Sequence, residues 1–160
     1  MVRVSGERLW RGLGAGALGT LALTGLEPLR ASLLGRPPPY AVKHLASRGA
    51  KRWLGRRLGP RAAQRWGLVL RWVYGPMLGL LQAWLRPWLS QGGALRGLVL
   101  GGGVWLFERL AFPLLGVTPP PRSWAPAERW WLPLQTSVFG LVTEAVLSRT
   151  GEQPGQGGER

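Results

Sequence analysis

Four apolar blocks, each about one helix long and set apart by connections rich in arginine, proline or tryptophan, constrain this chain more than any other feature. The first, LWRGLGAGALGTLALTGL, starts at Leu9 and holds one charge, Arg11. The second, from Trp66 to Leu85, contains Arg71. The third, from Leu95 to Leu115, contains Arg96, Glu108 and Arg109, and the fourth, from Trp130 to Leu147, contains Glu144. About 20 apolar residues cross a hydrocarbon layer, so each block alone is marginal by length or charge. Together they exclude an ordinary soluble bundle, because none carries a polar stripe at the 3.6-residue period. Trp10, Trp66, Trp84, Trp88, Trp124, Trp130 and Trp131 stand near block ends, where amphipathic rings settle among headgroups. The pattern predicts four membrane-spanning helices at about 9–27, 66–85, 95–115 and 130–147. A cleaved signal peptide is the competing reading of the first block, and the three apolar blocks behind it argue against that.

Glycine spacing supplies a second argument. Gly12, Gly16 and Gly19 in the first block, Gly75 and Gly79 in the second, and Gly93, Gly97 and Gly101 in and before the third repeat at three or four residues. In water each interior glycine costs a helix about 1 kcal/mol relative to alanine. In lipid, where apolar burial does not drive helices together, such small-residue faces let backbones approach. These eight glycines are therefore the expected packing positions.

Composition narrows the chemistry. The chain has no cysteine, no aspartate and a single histidine, His44, which removes thiolate metal sites, disulfides and most acid/base or triad constellations. No catalytic residue, metal or cofactor is expected, and the chain reads as a non-enzyme. A net charge of +14 would by itself suggest nucleic acid. The basic residues nevertheless fall mainly in one connection between the first two blocks, so nucleic acid is not the expected partner.

That connection, residues 28–65, carries ten of the 21 basic residues. Within it Val42, Leu45, Ala46, Ala50, Trp53, Leu54 and Leu58 keep helical spacing, with Lys43, Arg48, Lys51, Arg52, Arg56 and Arg57 between them. This predicts a basic amphipathic helix over about 41–58, lying on the bilayer with its cations on anionic headgroups. The bland alternative is a solvated arginine-rich linker. By the positive-inside rule this connection and the one after the third block, residues 116–129, face the cytoplasm and both termini lie on the outer side. The last residues, 151–160, have nothing to bury and are expected to be disordered, leaving residues 1–150 as one membrane domain.

The two halves of the chain echo one another. Arg11-Gly12-Leu13 is matched by Arg96-Gly97-Leu98, Leu33-Leu34-Gly35 with its prolines by Leu114-Leu115-Gly116 with Pro119-Pro120-Pro121, and Val73-Tyr74-Gly75 by Val138-Phe139-Gly140. The same order in both halves suggests two tandem helical hairpins. The expected fold is thus an all-α four-transmembrane-helix bundle with a surface helix between helices 1 and 2.

At Trp105-Leu106-Phe107-Glu108, Pro113-Leu114-Leu115-Gly116-Val117-Thr118-Pro119-Pro120, Pro126-Ala127-Glu128 and Val138-Phe139-Gly140-Leu141-Val142-Thr143-Glu144 the chain resembles the YagU-like bacterial inner-membrane proteins. These are small four-helix proteins of uncharacterised function, and the good match covers about a third of the chain. The resemblance implies a multi-pass protein of the inner membrane. Where that family commonly carries histidines this chain has Phe107 and Thr136, so no histidine-based function and no active site carries over.

Charges inside apolar blocks need partners, since an unpaired one costs about 2.5–3.5 kcal/mol at mid-span. The expected intramembrane polar set is Glu27, Arg71, Glu108 and Thr136 toward the cytoplasmic side, and Arg11, Arg96 and Glu144 toward the other. Two clusters follow: Arg71 with Glu108 or Glu27, and Glu144 with Arg11 or Arg96. They are read first as interhelical clamps and second as parts of a proton or ion route. The whole reads as a structural or accessory membrane protein that packs through glycine faces, as a homo-oligomer or within a larger membrane complex. The alternative is a small channel or transporter acting as an oligomer.

Overall fold

A computed structural model describes residues 6–35, 41–89 and 92–151. Among these the chain is all-α: α1 (Gly6–Leu34), α2 (Val42–Leu54), α3 (Pro60–Leu85), α4 (Gly93–Leu114) and α5 (Pro126–Gly151), with two single 3₁₀ turns at Arg86–Trp88 and Pro121–Ser123. α3 and α5 each start on a proline, at the first helical position where its missing N–H is not needed. At the start of α5, Glu128 Oε2 also accepts the Ala125 N–H at 3.2 Å. α2 stops at Gly55 and the turn after α4 runs through Gly116, both at positive φ (64° and 70°), a conformation that other residues resist.

Four of the helices run longer than the blocks that announced them. The first was expected to end near residue 27, but α1 continues through Pro28 to Leu34. A proline removes one intrahelical hydrogen bond without forbidding the next turn. That extra turn carries Arg30 into the bundle, where it is 5% exposed. α3 begins at 60 rather than 66, and α5 spans 126–151 rather than 130–147. The surface helix is shorter than the expected 41–58, because Gly55 ends it at Leu54 and leaves Arg56, Arg57 and Leu58 beyond it. Of the expected tail, residues 151–160, Gly151 is the last residue of α5 and residues 152–160 lie outside the described residues.

α1 lies antiparallel on α3, α4 lies antiparallel on α5, and α1 joins the two pairs by packing antiparallel on α5. The order across the layer is therefore α3, α1, α5, α4, with α2 laid against α3. Close approach of backbones sets these pairs. A Cβ on Gly16 would stand 2.8 Å from Pro76 Cα, and one on Gly97 would stand 2.9 Å from Leu141 Cα. Gly12 faces Leu80, Gly19 faces Thr143 and Phe139, and Gly101 faces Thr136 and Ser137. Gly140 also lies in the α4–α5 seam and Gly67 meets the backbone of α2, two contacts the spacing argument missed. Gly93 departs from the expected ladder, since its nearest neighbour is Ser148 Oγ at an ordinary 3.6 Å.

The two antiparallel pairs differ in register by one turn relative to the sequence echo. Gly12 sits opposite Leu80, whereas its counterpart Gly97 sits opposite Leu141, and the alignment of Gly75 with Gly140 would have put Gly97 opposite residues one turn further on. Similar hairpins have thus settled into different contacts.

Polar side chains and small residues share the interior with a modest apolar core, and many large apolar side chains face outward. The most enclosed positions include Thr20, Gln82, Thr136, Thr143 and Glu144 among glycines and alanines. Leu18, Leu21, Leu68, Val69, Trp72, Met77, Leu98, Val99, Leu106 and Leu134 face outward. Two small apolar clusters interrupt this, Leu100–Val104–Phe139 and Trp124–Leu132. By length and composition one described helix, Gly93–Leu114, is long and apolar enough to cross a membrane.

Candidate functional site

The most enclosed charge is Glu144, 1% exposed, at the end of the bundle where α1 and α4 begin and α3 and α5 finish. Its position follows from helical spacing. Glu144 and Ser148 lie one turn apart on α5, and Gln82 and Arg86 one turn apart on and just after α3, so two polar edges face each other. Gln82 Nε2 donates to Glu144 Oε2 at 2.8 Å, and Ser148 Oγ to Oε1 at 3.3 Å. Arg96 and Arg86 bring their Nε atoms to 3.3 and 3.4 Å of Oε1, as ion pairs without hydrogen-bond alignment. Arg86 also donates Nη1 to the Leu147 carbonyl at 2.9 Å and Nη2 to Ser148 Oγ at 3.0 Å. One carboxylate thereby ties α3, α4 and α5 together.

Of the two partners expected for Glu144, the structure brings Arg96 and not Arg11. Arg11 instead pairs with Glu7, one turn earlier on its own helix. The spacing of Glu7 and Arg11 favours that short-range contact over a reach across the bundle. Beside this group, Arg8, Arg11, Arg86 and Arg96 line an open cleft of about 420 Å³ together with Ala83, Pro87 and Leu147. It adjoins a smaller apolar cavity of about 210 Å³ that shares Arg8, Ala83 and Pro87 and adds Leu9, Leu80, Trp84 and Trp88.

At the other end, Arg71 Nη2 meets Glu27 Oε1 at 2.8 Å. Glu108, the other expected partner of Arg71, is half-buried and faces the Tyr74 phenol instead. Arg109 lays its guanidinium over the Trp105 ring, 5.5 Å from the centroid. A longer pair, Arg30 with Glu128 at 3.9 Å, joins the far end of α1 to the start of α5. Both residues lie outside the expected spans, Arg30 beyond residue 27 and Glu128 before residue 130, and the added length of α1 and α5 brings them together.

The hydroxyls form no line between the two ends. Thr20 donates to the Gly16 carbonyl and Thr24 to that of Thr20, both at 2.8 Å, while Thr136 donates to the Leu132 carbonyl at 3.1 Å. Each is satisfied within its own helix, as threonine does where no water is available. Between the ends, Gly16, Gly75 and Gly79 close the α1–α3 seam and Gly97, Gly101 and Gly140 close that of α4 and α5.

On α2, Lys43, Arg48, Lys51 and Arg52 are exposed, as are Arg56 and Arg57 past its end. The apolar face divides. Ala46 and Ala50 are buried with Gly49, which faces Val117, whereas Trp53 and Leu54 remain exposed. Trp53 and Leu54 thus stand beside the cations rather than in a protein core. His44, partly buried between Lys43 and Arg48, titrates below the ordinary imidazole value because desolvation, then those two cations, disfavour its charged form. Trp10, Trp66, Trp84, Trp88 and Trp130 are exposed, but Trp124 is buried and donates to the Pro119 carbonyl at 3.0 Å, so it closes the α4–α5 connection instead of anchoring outward.

Among the described residues no group of three or more histidine, cysteine, aspartate or glutamate side chains is placed to hold a metal. Comparison with known proteins finds no matching family model, no matching curated protein and no matching solved structure.

Proposed function

We propose that this chain is an integral membrane protein whose α1, α3, α4 and α5 all cross the bilayer, and that it acts without catalysis as a structural or accessory component. The observation that carries the reading is the outer surface: leucine, valine and tryptophan face outward along α1, α3, α4 and α5, while glycine, threonine, Gln82 and Glu144 share the interior with a small apolar core. In water such a surface would aggregate, since soluble proteins seldom expose contiguous apolar patches beyond a few hundred Å². In hydrocarbon the same arrangement is favourable, because outward leucines lose nothing and inward small residues gain contact. Only 22% of the most apolar window of α4 is buried, against what a soluble core helix requires. At about 1.5 Å per residue its 22 residues reach roughly 33 Å, enough for a hydrocarbon layer of about 30 Å. The other three helices are longer, their glycine, tryptophan, threonine and proline lower mean hydropathy, and the charge at the middle of α3, Arg71, is mostly buried and paired with Glu27.

The resemblance to the YagU-like inner-membrane proteins supports the same placement, in the cytoplasmic membrane of a bacterium with the basic α2 on the cytoplasmic side. A structural role is favoured over a channel within one chain because glycine contacts close both helix seams. A pore would then need several copies. Membranes washed in alkaline carbonate test the central claim: the chain is expected in the pellet and in the detergent extract, and its recovery in the wash supernatant would overturn the reading. A liposome flux assay separates the channel alternative, which requires solute or proton leak that a Glu144→Gln variant abolishes.

A further inference from the structure

The arginine cleft at the Glu144 end has no place in the structural role just proposed. Four guanidiniums, Arg8, Arg11, Arg86 and Arg96, line about 420 Å³. Two carboxylates answer them: Glu7 pairs with Arg11, and Glu144 is shared by Arg86 and Arg96. The group keeps two net positive charges, and Arg8 makes no ion pair among the described residues. Arg86 is already held by Leu147 and Ser148, so Arg8 is the cation most open to an outside anion. Such a cluster is matched by an oxyanion with several acceptor oxygens, phosphate above all, because guanidinium forks donate in pairs.

The neighbouring cavity says where that phosphate comes from. Leu9, Leu80, Trp84 and Trp88 line an apolar hollow of about 210 Å³ that shares Arg8, Ala83 and Pro87 with the arginine cleft. A free phosphate has no use for it, whereas a phospholipid brings a phosphate and an acyl chain joined a few ångströms apart. Trp84 and Trp88 are exposed at this rim, the level at which ring edges meet headgroups. We propose that the cleft is a site for an anionic phospholipid, its phosphate held by Arg8 and Arg11 with Arg96 behind, and its chain laid along Leu80 and Trp84. This rests on the membrane reading and concerns a different end of the molecule from the basic helix α2.

The test uses the full chain in mild detergent, incorporated into nanodiscs of phosphatidylglycerol or of phosphatidylcholine, with retained lipid counted by native mass spectrometry. Phosphatidylglycerol is expected to stay bound and phosphatidylcholine to wash away. An Arg8→Gln, Arg11→Gln double variant changes only residues at the cleft rim and leaves the Glu144 ion pairs in place. It should weaken retention about tenfold or more, the scale of one lost charge-assisted hydrogen bond. An Arg122→Gln variant, at an exposed arginine of the connection before α5, should retain lipid as the parent does. Trp84→Ala should weaken lipid retention without changing displacement by inorganic phosphate. Unchanged retention in the Arg8, Arg11 variant, or equal loss in the Arg122 variant, overturns the site. Phosphate that competes as well as lipid, with Trp84→Ala silent, overturns the lipid assignment in favour of a free anion. A chain released by carbonate overturns the membrane reading along with it, whereas a chain kept in the pellet that retains both lipids alike overturns the site alone.

Discussion

Replacing Gly79 by alanine opposes two effects of known sign. Alanine is the better helix former by about 1 kcal/mol, which alone would stabilise α3. Its Cβ, however, would meet Gly16 Cα at 2.5 Å and would lie closer still to the Gly12 carbonyl oxygen and the Gly16 nitrogen. All three are backbone atoms of α1, so no side chain can rotate away. Ordinary contact begins near 3.4 Å, and relief requires α1 and α3 to part by about 1 Å. A gap of that size forfeits a quarter to a half of each nearby dispersion contact, and overpacking of this kind costs about 1–3 kcal/mol. The net expectation is a loss of up to about 2 kcal/mol, or a Tm lower by up to about 8 °C by the scaling for soluble chains of this size. Gly14 is the control on the same helix pair, since nothing lies within 4 Å of its Cβ position. Gly14→Ala should be neutral or up to about 1 kcal/mol stabilising. Thermal unfolding of both variants in one mild detergent, followed by circular dichroism, measures the difference. A Gly79→Ala protein that melts at or above Gly14→Ala would refute the close α1–α3 seam.

Other perturbations separate buried from exposed polar contacts. Glu144→Gln keeps the volume and an acceptor for Gln82 but leaves Arg86 and Arg96 without a counter-charge, and it should cost up to about 3–5 kcal/mol in detergent-denaturant titration. Glu7→Gln removes a one-turn ion pair whose carboxylate side is mostly exposed, and it should cost no more than about 1 kcal/mol in the same titration. Because the folded state lowers the His44 pKa, that residue favours folding while neutral. Its contribution is present above the ordinary value of 6.5 and is lost as pH falls through the folded value, and a His44→Ala variant should flatten that part of a stability-against-pH curve. The chain has no cysteine, so single introduced thiols report sidedness: Ala94→Cys should react with a membrane-impermeant maleimide in spheroplasts, and Arg56→Cys should react only after lysis.

Helical spacing made the glycine faces legible, because three- and four-residue periods say which residues share a side of a helix. Which faces would meet was another matter. Gly12 and Gly97 occupy matching places in the sequence echo yet oppose different turns of their partners, since register depends on the shapes of both surfaces. Charges followed the same division. Arg71 with Glu27 and Arg96 with Glu144 were foreseeable because each pair was needed to neutralise a charge inside an apolar block. Arg30 with Glu128, and Arg86 with Glu144, were hidden by boundaries: Pro28 concealed an added turn of α1, and Arg86 was counted as a connection when it lies one turn past Gln82.

That last misplacement bears on how the fold is held. Had Arg86 belonged to a solvated connection, Arg96 would have supplied the counter-charge to Glu144 and Gln82 by itself would have linked α5 to α3. With Arg86 and Gln82 also on it, the carboxylate joins both antiparallel pairs at one end. At the other end Glu27–Arg71 ties α1 to α3 and Arg30–Glu128 ties α1 to α5. The glycine seams fix each pair of helices along its length but leave the α3–α5 side with little direct contact. On the membrane reading proposed above, polar clamps at the ends supply what apolar packing cannot, since leucines facing lipid would exert no inward force. The division of labour predicts that loss of Glu144 loosens α3 from α5 before it separates α4 from α5, where Gly97, Gly101 and Gly140 still hold the backbones together. Hydrogen exchange of the Glu144→Gln protein should therefore rise first in the last turns of α3 and only later in α4, and the reverse order would mean that the clamp serves the α4–α5 seam instead.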